Sequence, residues 1–391
     1  MFRIILLLLV SIEIYAAPVI IPEPPKLAAN GYLLIDASTG KVLVAHNGEQ
    51  RLPPASLTKI MTSYVAAKQL ALGTISLEDQ VDISVEAWRM EGSRMFVREG
   101  TTVRLEDLIR GIVIQSGNDA SVAVAEHIAG SESAFAELMN RYALQLGMTG
   151  TNYVNSTGLP DENHYTTAHD LALLTIALVS EFPEHYSIYK ERSFTYGAPG
   201  EQPKRQSNRN KLLFRDSSVD GVKTGHTKAA GYCLVASALR EEMRLISVVM
   251  GASSEEIRAR ESQKLLTYGF RYFETSSLYK ADNVLKQVRV WGGQHSSIRL
   301  GLMEDLVLTI PRGSRKTLKT VIDIDDEVHA PLSMGDKLGT LTVRLSENEA
   351  TSLPLVALNS VQASGFLASL WDSIRLFFLK LFNGDPLAYS P

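Results

Sequence analysis

Val219-Asp220-Gly221-Val222-Lys223-Thr224-Gly225, then Gly231-Tyr232-Cys233-Leu234-Val235-Ala236-Ser237-Ala238, then Met243-Arg244-Leu245-Ile246-Ser247-Val248-Val249 follow one another with only short turns between them. Runs of this length, rich in β-branched and apolar residues and punctuated by Gly, read as consecutive antiparallel strands. Far upstream, Tyr32-Leu33-Leu34-Ile35-Asp36 and Lys41-Val42-Leu43-Val44-Ala45 flank the turn Thr39-Gly40 and read as a further hairpin. Helical stretches lie between: about Ser56 to Leu72, stopped by Gly73; Asn118 to Ile128, closed by Gly130; Glu132 to Leu146, closed by Gly147; and Thr167 to Ser180. Another runs from about Arg258 to Tyr268. Strands at both ends with helices between predict an α/β (α+β) domain built on one central antiparallel sheet.

The character of the chain changes near Lys280. From there to about Val361 the helical period disappears. Short strands are expected at Val288–Trp291, Leu306–Ile310, Val321–Ile324 and Leu341–Leu345, separated by turns such as Pro311-Arg312-Gly313-Ser314. That pattern predicts a small all-β sandwich with no nucleophile–base pair of its own. The two ends carry membrane signals. Arg3, the apolar run Ile4 to Val10 and the small residues Ala16-Ala17 read as a secretory signal peptide. Near the other end, Phe366, Leu367, Leu370, Trp371, Ile374, Phe377, Phe378, Leu381 and Phe382 fall within roughly 160° of a helical wheel at ~100° per residue. Ser369, Asp372, Ser373 and Lys380 lie opposite, and Leu376 and Leu379 breach that polar face. A helix lying in the membrane interface is expected, with a helix docked on the protein as the alternative. The expected division is therefore 1–17 signal peptide, 18–280 catalytic domain, 281–362 β-sandwich domain and 363–391 amphipathic anchor.

Composition removes other classes. A chain of 391 residues exceeds one ordinary core. The net charge is −4 and no basic block is interleaved with aromatics, so nucleic acid is not an expected partner. Cys233 stands alone, so the fold cannot depend on an internal disulfide, and its apolar setting reads as core. His164 and His169 stand apart without ligand partners, so no metal is expected.

The chemistry is carried by three short patterns in a set order: Ser56-Leu57-Thr58-Lys59, Ser116-Gly117-Asn118 and Lys223-Thr224-Gly225. On a helix, residues three apart share a face, which sets Lys59 beside Ser56. A serine hydroxyl needs a nearby base, and a lysine serves only if burial or a neighbouring cation, for which Lys223 is the candidate, keeps it neutral. Ser116 can relay a proton to a leaving amine, and the Asn118 amide can hold Lys59 or a substrate carbonyl. Gly225, without a side chain, lets a substrate backbone approach the strand edge. Lys223 and Thr224 offer a cation and a hydroxyl to a carboxylate. Each pattern alone is common; the ordered set is what a serine acyltransferase without a histidine base requires.

That set is shared by β-lactamases and penicillin-binding proteins. The chain resembles the low-molecular-mass penicillin-binding proteins, and within them the membrane-anchored D-alanyl-D-alanine carboxypeptidases. The likeness extends through Pro54-Ala55-Ser56-Leu57-Thr58-Lys59-Ile60-Met61-Thr62, Ser116-Gly117-Asn118-Asp119-Ala120, Val219 to Thr227 and Ala230-Gly231-Tyr232, and through the order of the domains. The resemblance implies a serine β-lactamase/transpeptidase-like fold. It implies Ser56 as the acylated nucleophile, Lys59 as its base, and Ser116 and Asn118 as relay and substrate amide. Lys223, Thr224 and Gly225 become the substrate-holding strand, and the N–H groups of Ser56 and His226 the oxyanion hole. Arg258, and less securely Arg209, would receive a terminal carboxylate. The implied substrate is a peptidoglycan pentapeptide, the implied inhibitors are β-lactams, and the implied location is the outer face of the cytoplasmic membrane, reached through the C-terminal helix. No cofactor is implied. A D,D-endopeptidase, a β-lactamase and a non-catalytic wall-binding scaffold remain as alternatives; Glu162 lacks the Glu-x-x-Leu-Asn setting a class A β-lactamase uses.

Overall fold

The computed structural model describes residues 21–345, 348–382 and 384–389, so the expected leader lies outside the described residues. Strands β1 (Gly31–Asp36), β2 (Val42–His46), β3 (Val219–Thr227), β4 (Gly231–Arg240) and β5 (Met243–Ala252) form one antiparallel sheet in the order β2-β1-β5-β4-β3. Alternate side chains enter different cores, as the two-residue period of a strand demands. From β1, Leu33 and Ile35 join the larger cluster, and Tyr32 and Leu34 the smaller one behind the sheet. Both faces are thus covered, and β1 is buried along its whole length.

The larger core is filled by α1 (Lys59–Ala71), α2 (Asn118–Ala129), α3 (Glu132–Gln145) and α4 (Ala168–Glu181). The smaller is closed by α5 (Glu255–Tyr272) through Ala259, Leu265 and Leu266. Two boundaries depart from the sequence reading. Ser56 lies in a 3-10 turn, Ala55–Thr58, and the α-helix starts only at Lys59. Pro53-Pro54 and a left-handed Ala55 (φ 49°) set the entry, so the first turn tightens before α1 begins. Helix α5 starts at Glu255, ahead of Arg258, because the Ser254 hydroxyl accepts the Ile257 N–H (3.2 Å) as an N-cap.

Beyond α5, β6 (Phe273–Tyr279) pairs with β9 (Leu306–Pro311), while β7 (Lys286–Arg289), β8 (Ser297–Gly301), β10 (Leu318–Ile324), β11 (Lys337–Leu345) and β12 (Asn348–Ala357) form a second antiparallel sheet in the order β7-β8-β12-β11-β10. The two sheets meet where Leu306 and Leu308 pack with Leu341, Val343 and Leu353, giving the all-β region its sandwich core. Strands β6, β8 and β12 are additions to those expected. The two parts of the molecule are tied by buried Asp36, whose carboxylate accepts from Thr275 Oγ1 (2.6 Å) and Thr309 Oγ1 (2.7 Å).

Helix α6 (Phe366–Leu381) follows the sandwich. Its polar side faces inward. Asp372 accepts from Arg289 Nη2 (2.9 Å) and Gly292 N (3.1 Å), and Lys380 pairs with Glu327. Leu376, one turn from each, is only 7% exposed, which explains the apolar residue on the polar face. The apolar stripe points outward instead, with Phe366 81% and Phe382 77% exposed. Among the described residues no helix is long and apolar enough to cross a membrane.

Candidate active site

The site is assembled where the 3-10 turn, the N-terminus of α2 and the edge strand β3 converge. Lys59 enters on the first turn of α1 and is 1% exposed. Its Nζ donates to Asn118 Oδ1 (2.7 Å), Thr157 O (2.5 Å) and, more loosely, Ser56 Oγ (3.3 Å). Burial is the main reason its pKa falls to about 7; Arg209 pushes the same way, and Asp119 and Glu132 oppose. Arg209 thus joins Lys223, the candidate named from sequence and coupled to Lys59 by mutual repulsion, among the cations around Lys59. Lys223 is itself buried on β3, and burial, then Lys59, Arg209 and Arg258, holds its pKa well below the ordinary lysine range.

Ser116 closes a π-helical turn, Gly111–Gln115, in a left-handed conformation (φ 63°). Its buried hydroxyl has no hydrogen-bond partner among the described residues, an arrangement that costs free energy and is available to a reacting group. Asn118 is fixed at both ends of its amide: Oδ1 takes the Lys59 bond and Nδ2 donates to Glu91 O (2.6 Å). Next to it, the Asp119 carboxylate accepts the backbone N–H groups of Met95 (2.8 Å), Phe96 (2.7 Å) and Val97 (3.2 Å), pinning that loop beside the second pattern.

On β3 the reason for Gly225 differs from the sequence expectation. A Cβ there would stand 2.9 Å from Pro54 O and 3.3 Å from both Ala55 Cβ and Leu57 Cγ. The glycine is required for the strand to approach the Ser56 turn, whatever it also offers a ligand. Thr224 is buried beside it. The His226 side chain is exposed and stacks on Tyr232 with ring centroids 4.0 Å apart. Arg258 is buried, donates through Nη1 to Gly225 O (3.1 Å) and lies over the Tyr232 ring, so its guanidinium supports β3 from beneath. Arg209 is exposed and acts on the three buried cations by charge.

A loop that sequence reasoning left without a role backs the Ser56 turn. Asn155 Oδ1 gathers Thr157 N (3.2 Å), Thr157 Oγ1 (3.1 Å) and Gly158 N (2.7 Å), and Ser156 is held by Glu132. Gly158 (φ 84°) is pressed so close that a Cβ would fall 1.8 Å from Ala55 O. The signal was Asn155-Ser156-Thr157-Gly158, a turn sequence. One group among the described residues brings metal-ligating atoms together, Glu49, His169 and Asp170, but the Asp170 carboxylate is already bound to Gly150 N (3.0 Å) and Thr151 Oγ1 (2.6 Å), and none belongs to the three patterns.

A serine hydroxyl beside a buried lysine of lowered pKa, a second serine with an unpartnered hydroxyl, and a strand edge carrying a second lysine can form and break an acyl-serine ester. The chain matches the D-alanyl-D-alanine carboxypeptidase peptidase family over residues 19–254 and the C-terminal domain of penicillin-binding protein 5 over residues 273–363. It is 43% identical over 369 residues to the D-alanyl-D-alanine carboxypeptidase DacC of Escherichia coli, covering 92% of this chain and 91% of that one. Its structure is similar to penicillin-binding protein 5 from Haemophilus influenzae, with TM-score 0.82, 41% identity and coverage of 87% of this chain and 99% of that one. Penicillin-binding protein D2 from Listeria monocytogenes in its ampicillin-bound form aligns with TM-score 0.58 and 28% identity over 64% of this chain and all (100%) of that one. The chain therefore belongs to the D-alanyl-D-alanine carboxypeptidases, serine peptidases of the low-molecular-mass penicillin-binding class.

Proposed function

We propose that Ser56 is the nucleophile of this carboxypeptidase and that Lys59 is its base. The observation that carries the reading is the buried Lys59 Nζ, 3.3 Å from Ser56 Oγ with a pKa lowered to about 7. At neutral pH a substantial share of such a lysine is unprotonated and can take the serine proton as Oγ attacks. The carbonyl attacked is the one joining the last two D-alanines of a peptidoglycan pentapeptide. The N–H groups of Ser56 and His226 receive the developing oxyanion. Ser116, with its unengaged hydroxyl, passes a proton to the leaving nitrogen. D-Alanine departs, and water then cleaves the acyl-Ser56 ester, leaving a tetrapeptide and restoring the serine.

Asn118 holds Lys59 in line. The terminal carboxylate meets Lys223 and Thr224, and its negative charge favours the charged form of Lys223 that burial otherwise disfavours. Arg258 adds positive charge beneath Gly225 and steadies the strand. A β-lactam acylates Ser56 by opening its ring amide. The outward apolar stripe of α6 supports attachment to the outer face of the cytoplasmic membrane, with the leader 1–17 delivering the chain to the periplasm, the catalytic part ending with α5 rather than at 280, and the β-sandwich, which begins with β6 at Phe273, acting as a stalk.

The test is D-alanine release from a pentapeptide ending in D-Ala-D-Ala, with Ser56→Ala alongside and labelled penicillin as a second readout. Release by wild type alone is the expected result. Penicillin labelling at Ser56 without D-alanine release would point to an endopeptidase on the same scaffold.

A further inference from the structure

His164 belongs to none of the three patterns, yet it is buried and bonded at both ring nitrogens. Val154 N–H donates to Nδ1 (3.1 Å), so Nδ1 is the acceptor and Nε2 carries the ring proton. That proton is directed at Thr58 Oγ1, 2.8 Å away. Thr58 is fully buried and stands between Ser56 and Lys59 in the turn. The ring is further set by an edge-on contact with Tyr153, centroids 5.6 Å apart. Burial, aided by nearby Lys59, lowers the pKa of His164 to about 4 against the pull of Asp161, so the ring is neutral near pH 7. Beside it Gly158 closes on Ala55 O and Thr58 Oγ1. His164 is thus a side-chain clamp between the Val154–His164 loop and the centre of the nucleophile turn.

We propose that His164 is a positioning residue for catalysis: by donating Nε2–H to Thr58 Oγ1 it fixes the turn so that Ser56 Oγ and Lys59 Nζ stay within reach of each other. The inference rests on the reading of Ser56 as nucleophile and Lys59 as base. The loose 3.3 Å contact between them has little margin, because Lys59 already makes shorter bonds to Asn118 and Thr157. A small rotation of the turn would leave Lys59 where it is and carry Ser56 away.

Two substitutions separate the nitrogens. His164→Gln keeps a donor at the Nε2 position, whereas His164→Asn keeps an acceptor at the Nδ1 position and loses the donor to Thr58. Fluorescent penicillin acylation, kcat and KM for D-alanine release, and thermal melting are measured on the full chain. His164→Asn is expected to lose about 10- to 100-fold in acylation rate and in kcat with KM little changed. His164→Gln should recover most of both while melting no higher than His164→Asn. The same bond is probed from its other end by Thr58→Val, expected to follow His164→Asn, and Thr58→Ser, expected to follow wild type, which keeps the test open if a His164 variant does not fold. A folded His164→Asn that acylates at the wild-type rate overturns the proposal. So does a His164→Gln that falls as far as His164→Asn, which would make the ring's packing the whole of its role. Ser56→Ala is run in parallel; if it is still labelled, the nucleophile assignment has failed rather than the clamp.

Discussion

Lys59 Nζ is 2.7 Å from Asn118 Oδ1, closer than it is to Ser56 Oγ at 3.3 Å. The amide therefore sets where the lysine amine sits, and as a neutral acceptor it leaves the lysine's charge uncompensated. With Lys59 lowered to about 7, the neutral, proton-accepting form accumulates as pH rises through that value. Acylation by a β-lactam is expected to climb across pH 6–8, by about tenfold per unit on the acid side, and then level. A rate independent of pH over that interval would remove Lys59 as the base.

Neighbouring charges should move this midpoint in opposite directions. Asn118→Asp sets a carboxylate on the ammonium and should raise the midpoint by about one unit or more. Asp119 opposes the lowering of Lys59, so Asp119→Asn should shift the midpoint to lower pH. It should also destabilise, by about 1–3 kcal/mol, because a neutral amide cannot accept the three loop N–H groups as the carboxylate does. The acylation pH profile of each variant is the check on the first effect and denaturant unfolding on the second.

The two glycines flanking the Ser56 turn give a stability prediction. Gly158→Ala would force a methyl against Ala55 O at a backbone conformation L-residues avoid, and should cost about 3 kcal/mol or more. Gly225→Ala meets Pro54 O at 2.9 Å from an ordinary backbone, so a smaller loss of about 1–2 kcal/mol is expected, with a larger effect on acylation than on melting. Gly130→Ala is the contrast: its φ is also positive but nothing lies within 4 Å, so only the backbone cost of about 1 kcal/mol applies. Thermal melts of the three variants test the order.

Much of this was legible in the chain because its signals are local. Ser56 and Lys59 are three residues apart, and the run Gly231 to Ala238 alternates between two cores within one strand. Gly73, Gly130 and Gly147 follow helices where expected. The supporting shell was not legible, because its members act across long separations. His164 reaches Thr58, Glu132 reaches Ser156, and Asp119 reaches back to Met95. Gly225 was read as a place where a substrate backbone comes close, and only packing reveals that the Pro54–Leu57 segment itself approaches there. Arg258 read equally as surface or site; its 4% exposure comes from α5 lying against β4 and β5, which no spacing rule conveys.

At the other end of the chain, α6 resolves an apparent choice between docking on the protein and lying on a membrane, since its two faces can do one each. Asp372 and Lys380 bind the sandwich, and Leu376 is buried between them, while Trp371 and Phe377 stand 70% and 64% exposed. Replacing those two outward residues, Trp371→Asp with Phe377→Asp, removes apolar burial of about 1.5–3 kcal/mol each and should weaken binding to lipid vesicles by about 100-fold or more. D-Alanine release from a soluble pentapeptide should be unchanged. Asp372→Ala should do the reverse, freeing the helix from Arg289 and Gly292 while leaving vesicle binding intact, because the outward apolar stripe is untouched. Deletion after Ser364 should give an active enzyme that remains in the supernatant. If the double substitution still sediments with vesicles as wild type does, the stripe is not the membrane contact, and its exposure needs a protein partner instead.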